Sequence, residues 1–125
     1  RQVEELGAGE IVITSVDREG TGLGFDVELT EMVAQSVTIP VIAHGGAGRI
    51  EDISGVIAKG GADAVAIASI LHYDFIKKNM TVIDTRGEGN TEYLRKRKYF
   101  SRIESADLQE IKEHLRKVNI NCRHT

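Results

Sequence analysis

The chain has 125 residues, of which 41% are hydrophobic and 28% charged, and its formal net charge is -3 at pH 7. This length is enough for one domain with a hydrophobic core and too short for two. The acidic balance argues against a nucleic-acid partner, and no apolar run approaches the roughly 18–20 residues of a membrane span. A single cysteine, Cys122, cannot form an internal disulfide. We therefore expect a cytoplasmic protein with no membrane or nucleic-acid partner.

Strand-like and helix-like segments alternate over the first seventy residues. The opening "RQVEEL" has the pattern of a last helical turn before Gly7, which suggests that the chain is a fragment or has lost an upstream segment. Short, almost continuously apolar runs are typical of strands buried on both faces of a parallel sheet. The predicted elements are strands at 10–16, 39–44 and 63–71 and helices at 26–37 and 50–61.

An internal repeat favours a barrel over an irregular α/β fold. "GAGEIVITS" at 7–15 and "GADAVAIAS" at 61–69 share a Gly-Ala turn, β-branched positions and a final serine. Repeated strand–helix units with a polar residue at each strand's carboxyl end are typical of a (β/α)8 barrel. The fold class predicted is α/β, a partial (β/α)8 TIM barrel with a parallel sheet.

The regular alternation stops after Tyr73. We predict one half-barrel domain over residues 1–125, with an insertion at 74–104 before a last helix at 105–118 that begins at Ser105. An extra helix within "TEYLRKRKYF" is expected in the insertion. Its many charges could cover a substrate, but charge runs more often face water.

Two acidic residues follow the first strand, where barrel enzymes place their active sites. Asp17 and Glu19 precede a glycine-rich loop. A carboxylate at a barrel mouth can serve as a general acid or base. An aspartate that caps its own turn is an equally good interpretation of Asp17.

The second strand ends in "HGGAG", which predicts an anion site. The backbone N–H groups of Gly45 and Gly46 can converge on a phosphate, and a helix beginning near Ile50 adds its positive end. Ala68 and Ser69 end the neighbouring predicted strand and offer another N–H and a hydroxyl. His44 is expected to pack or to hydrogen-bond the backbone rather than to bind the phosphate.

Three motifs, "GAGEIVITSVDREGTGLGFD", "IPVIAHGGAG" and "GADAVAIASILHY", in this order resemble the C-terminal half of the cyclase subunit of imidazole glycerol phosphate synthase. The resemblance implies strands six to eight of a (β/α)8 barrel and a lyase-type ring closure in histidine biosynthesis. In that reaction, ammonia from a glutaminase partner acts on a bis-phosphate ribulosyl substrate. No cofactor or metal is expected. The site residues implied are Asp17 and Glu19 as catalytic acids and Thr14, Ser15, Thr21, Gly45, Gly46, Ala68 and Ser69 as phosphate or substrate contacts.

The same resemblance leaves other functions open. The family's two principal catalytic aspartates belong to strands one and five, which this chain lacks, so we expect the chain alone to be inactive. Glu19 replaces a usual aspartate, and His44 replaces a usual serine. The cyclase hypothesis requires a missing N-terminal half-barrel as partner. One alternative is a non-catalytic half-barrel that binds phosphorylated ligands and associates with itself. Another is a paralogous ammonia-using synthase that acts on a different substrate, such as a surface sugar.

Overall fold

The computed structural model describes residues 1–79 and 102–123. Within these ranges the chain forms three strands, each followed by a helix, and two further helices at the ends. In chain order the elements are α1 (Gln2–Glu5), β1 (Ile11–Thr14), α2 (Val27–Ala34), β2 (Val41–His44), α3 (Ile50–Gly60), β3 (Ala64–Ala66), α4 (Ser69–Asn79) and α5 (Leu108–Lys117).

The three strands form one parallel sheet in the order β1-β2-β3. Ile11 pairs with Val41 and Thr14 with His44 on one side of β2, and His44 pairs with Ala66 on the other. Strand–helix alternation around an all-parallel sheet is the arrangement of part of a (β/α)8 barrel. The predicted fold class is confirmed.

The helices pack on one face of the sheet. Val41 and Ala43 of β2 are buried on that face, and Ala43 belongs to a core that includes Ile53 and Val56 of α3. Alternate residues along a strand point to opposite faces. Val12, 58% exposed, and its register partner Ile42 therefore lie on the other face of the sheet.

Two of the predicted boundaries that differ from the structure have a clear physical reason. The strand expected over 63–71 ends at Ala66, and Ser69 begins α4. The apolar run continues because Ile70 is buried as part of a helix, and a short apolar run does not distinguish the two structures. The last helix begins at Leu108 because Asp107, not Ser105, caps it: its carboxylate accepts the Glu110 N–H at 2.9 Å.

The expected helical opening is confirmed, because the first residues form the short helix α1. Helix α3 ends at Gly60, one residue before its predicted end, and its C-cap Gly61 has a left-handed φ of 66°, which suits glycine.

The predicted insertion falls mostly outside the described residues. Its first part, 74–79, continues α4, and 102–107 lead into α5. The remainder, including the helix expected in "TEYLRKRKYF", lies outside the described residues, so the domain assignment stays a prediction. None of the helices in 1–79 and 102–123 is long and apolar enough to cross a membrane.

Polar contacts fasten α5 to the rest of the fold. Lys78 Nζ lies 2.9 Å from Asp74 Oδ2 within α4 and 2.8 Å from Oδ2 of Asp107, the cap of α5. Ser54 Oγ of α3 lies 3.0 Å from His114 Nε2 of α5. The last helix is thus attached to two different elements by side-chain contacts.

Candidate functional site

A small pocket of about 30 Å³ opens where the carboxyl ends of β2 and β3 meet the loop after β1. Parallel strands bring their carboxyl ends to one edge of the sheet, which is where ligands of α/β proteins bind. Five predicted site residues meet here. The lining consists of Glu19, Gly20, Gly22, His44, Gly45, Gly46, Ala47, Ala66, Ile67, Ala68, Ser69 and Ile103.

The backbone at the end of β2 can donate hydrogen bonds into this pocket. Gly45 and Gly46 have φ values of 93° and 100°, a conformation that non-glycine residues rarely adopt. Their N–H groups and that of Ala47 make no hydrogen bond to another described residue. Consecutive free N–H groups form the kind of concave surface that binds anions.

The same glycines are also required by the protein's own packing. A Cβ at Gly46 would collide with the backbone oxygen of Gly24 and would lie 2.8 Å from Arg18 Cβ. In addition, Gly24 donates its N–H to the Gly46 oxygen at 2.8 Å. The loop after β1 therefore lies directly on the glycine segment, and access for a ligand is not the only reason for these glycines.

The helix end that faces the pocket belongs to α4. Ser69 is the first residue of α4 and lines the pocket together with Ala68, and the Ser69 N–H makes no hydrogen bond to a described residue. The positive end of this helix dipole favours a negative charge.

Helix α3 does not serve the pocket as expected from the sequence. Asp52 Oδ2 accepts the N–H groups of Gly48 at 2.9 Å and of Arg49 at 3.0 Å. The chain's own carboxylate therefore occupies the amino end of α3.

Three polar side chains form a connected group at the rim. Thr14 Oγ1 lies 3.0 Å from His44 Nδ1, and His44 Nε2 lies 3.8 Å from Glu19 Oε2. The contact with Thr14 is a side-chain hydrogen bond and not the backbone hydrogen bond that was one of the two expectations for His44. The ring is held by the parallel register, which sets Thr14 opposite His44.

The other predicted site residues lie outside this pocket. Asp17 is exposed in the turn after β1. Ser15 is buried and donates to Asp26 Oδ2 at 3.2 Å. Thr21 donates to the Arg18 oxygen at 2.7 Å and accepts the Leu23 N–H at 3.2 Å. Ser15 and Thr21 thus support the loop, and the catalytic role of Asp17 stays a prediction.

Two features of the site were not anticipated from the sequence. Gly22 touches the segment after the undescribed residues, since a Cβ there would lie 2.9 Å from Ile103 Cγ1. Glu104 then donates its N–H to the Gly48 oxygen at 2.7 Å. No local pattern marks Ile103 as a pocket residue, because it is distant in sequence from every strand end.

Comparison with known proteins gives consistent matches. A family model described as histidine biosynthesis protein matches residues 1–77. A relative from Pyrobaculum aerophilum, named imidazole glycerol phosphate synthase subunit HisF, is 63% identical over 73 residues, which is 58% of this chain and 28% of the relative. A protein of the same name from Saccharolobus solfataricus is 54% identical over 77 residues, which is 62% of this chain and 31% of the relative. Another from Alkaliphilus metalliredigens is 51% identical over 74 residues, which is 59% of this chain and 29% of the relative.

The matched stretches thus span under a third of each relative's own length. The residues matched by the family model, 1–77, contain all three strands and the glycine segment at the pocket. The family match extends over more than half of the chain and agrees with the parallel strand–helix architecture. On these grounds the chain belongs to the histidine biosynthesis protein family, and it is similar to the cyclase subunits of that family.

Proposed function

We propose that this chain provides one phosphate-binding site of a histidine-biosynthesis cyclase, which uses ammonia from a glutaminase subunit to form imidazole glycerol phosphate. The substrate is a bis-phosphate, and the pocket between β2 and β3 binds one of its two phosphate groups. Gly45, Gly46 and Ser69 donate to the phosphate through their backbone N–H groups. Asp17 acts at the mouth of the barrel on the part of the substrate that reacts.

The observation that carries this proposal is that one pocket is lined by several residues whose backbone N–H groups have no acceptor among the described residues. The N–H groups of Gly45, Gly46 and Ala47 lie beside the start of α4, and none has an acceptor among the described residues. A buried amide without a partner is costly, and an anion supplies the missing acceptor.

Catalysis in this proposal requires the rest of a barrel. The chain corresponds to under a third of the relatives' length, and Val12 on the sheet face away from the helices is 58% exposed. In a complete barrel this face is the interior, packed with side chains. We therefore expect no turnover by the chain alone and turnover when the remaining strands are supplied.

The experiment reconstitutes the barrel from two chains. The 125-residue chain is mixed with the part of the Pyrobaculum aerophilum relative that lies outside the matched stretch, together with the bis-phosphate substrate and an ammonium salt. Formation of imidazole glycerol phosphate supports the proposal. Folded, associated chains with no product contradict it.

Substitution of Ser69 by aspartate separates binding from folding. Aspartate in the first turn favours the helix but repels a phosphate, so Ser69→Asp should keep the fold and raise the KM for the bis-phosphate roughly tenfold or more. Gln109→Asp is the matched control, because it places the same charge in the first turn of α5, away from the pocket. An equal KM for the two variants would be incompatible with a phosphate between β2 and β3.

A second candidate function is a non-catalytic half-barrel that pairs with itself and binds phosphorylated ligands. The exposed face around Val12 favours it, because soluble proteins rarely leave apolar parallel sheets uncovered. Inactivity after reconstitution, combined with phosphate binding and a stable dimer, would favour this candidate.

A further inference from the structure

The pocket contains two ionisable side chains among its described lining residues, His44 and Glu19. The side chain of His44 is 33% exposed and that of Glu19 is 52% exposed. Histidine changes charge near neutral pH, and a carboxylate is negative there. The net charge that a phosphate meets in this pocket therefore depends on the proton of His44.

Thr14 can hold the His44 ring in both protonation states. A hydroxyl donates to Nδ1 when that nitrogen is unprotonated and accepts from it when it is protonated. The 3.0 Å contact between Thr14 Oγ1 and His44 Nδ1 is thus satisfied either way. The proton can bind or leave without a change in the position of the ring.

The carboxylate of Glu19 lies where it repels an anion bound in the pocket. Its Oε2 is 2.9 Å from the position that a Cβ on Gly45 would take, so the carboxylate lies over the glycine backbone that donates into the pocket. It is also 3.8 Å from His44 Nε2. Two neighbouring anions repel each other unless a cation lies between them, and His44 is placed to be that cation.

Two segments beside the pocket carry further charged groups. Asp17 and Arg18 precede Glu19 in the same loop, and Arg18 Nη1 lies 3.4 Å from the Leu23 oxygen. Arg102 and Glu104 come from the segment that packs on Gly22 and Gly48. The turn from β3 to α4 brings no ionisable group before His72.

We propose that binding of a phosphate group in this pocket is coupled to protonation of His44, with Thr14 holding the ring and Glu19 opposing the anion whenever His44 is neutral. The inference rests on the proposed function, since it assigns the phosphate to this pocket. It adds that affinity for the phosphorylated substrate rises as the pH falls. His44 is then a binding residue of the pocket.

Sulfate is the probe of choice because its charge is constant between pH 6 and pH 8, whereas phosphate titrates in this range. Sulfate is titrated into the 125-residue chain by calorimetry at both pH values. The dissociation constant should be roughly tenfold higher at pH 8, since one nearby positive charge is lost. In parallel, NMR follows the imidazole signals, and sulfate should raise the pH of half-protonation of His44, with His72 and His114 as internal references.

Two substitutions test the roles separately. His44→Gln keeps a hydrogen-bonding side chain but cannot titrate, so its affinity for sulfate should be the same at both pH values. Glu19→Gln removes the opposing charge and should tighten sulfate binding several-fold at pH 8. Glu10→Gln, at the opposite end of β1, is the charge-matched control and should behave like the unchanged chain.

The outcomes distinguish this inference from the proposed function. No sulfate binding at any pH contradicts both. If sulfate binds with the same pH dependence to His44→Gln and to the unchanged chain, the phosphate site is retained but the coupling of binding to protonation of His44 is overturned. If His44→Gln does not fold, as judged by circular dichroism, the NMR titration decides: an unshifted His44 overturns the proposal.

Discussion

At the scale of single residues, Gly46 shows how one position serves both the fold and the site. It lines the pocket, while its Cα lies against the backbone of Gly24 and the side chain of Arg18. A larger residue would displace the loop that carries Glu19. Substitution of Gly46 therefore tests folding as well as anion binding, which makes Ser69 the better probe of binding.

We predict that Gly46→Ala destabilises the chain by about 2–4 kcal/mol, from the positive φ together with the collision with the Gly24 backbone. Urea unfolding followed by circular dichroism measures the change. Gly55→Ala is the matched control: it lies in α3, where a Cβ meets nothing within 4 Å, and should stabilise by about 0.5–1 kcal/mol. Equal changes in the free energy of unfolding at the two positions would show that the loop after β1 does not pack closely against Gly46.

At the scale of elements, the attachment of α5 depends on charge. The hydrogen bond from Lys78 holds the pKa of the Asp107 carboxyl below its ordinary value. The same contact, with a second one to Asp74, raises the pKa of Lys78. A lowered acid pKa stabilises the fold above the unfolded value of about 4, and a raised lysine pKa stabilises it below about 10. The contact thus contributes fully between these limits, and it is lost as the pH falls through the lowered pKa of Asp107 or rises through the raised pKa of Lys78.

We therefore expect Lys78→Met to lower the urea midpoint at pH 7 and to have a smaller effect in acid, where protonation of Asp107 weakens the contact in the unchanged chain. The adjacent Lys77→Met removes the same charge from an exposed side chain that makes no ion pair among the described residues, and should change little at either pH. A Lys78→Met effect of equal size at both pH values would point to lost packing instead.

Elements were predicted well where the local pattern decides the structure. Helix α3 has an amphipathic pattern and a glycine end, and its predicted span differs from the observed one by a single residue. The end of β3 was missed because Ile70 is as apolar in a buried helix as in a strand. In the site, the contact between Thr14 and His44 depends on the register of β1 and β2. Ile103 lines the pocket although it is distant in sequence from the strands, so its position depends on tertiary packing. Neither follows from local sequence.

At the scale of the whole molecule, the described residues cover one face of the sheet with helices and leave the other face uncovered. The helices bury Val41 and Ala43, whereas Val12 on the other face is 58% exposed and Ala64, at the β3 edge, is also exposed. The strands at both edges of the sheet also keep backbone groups that another strand could pair with. This asymmetry is what a portion of a barrel shows, and it explains why the activity proposed here requires further strands.

The uncovered face should make the isolated chain associate with itself. Burial of Val12 against a second copy removes apolar surface from water, and each fully buried valine contributes about 1.5–3 kcal/mol. Sedimentation of the 125-residue chain at tens of micromolar should therefore show dimers or larger species, and Val12→Asp should shift them towards monomer. Met32→Asp is the control, since Met32 is 63% exposed on α2, away from the sheet, and should leave the association unchanged. A monomer that stays folded at these concentrations would contradict the prediction and would mean that this face does not drive assembly.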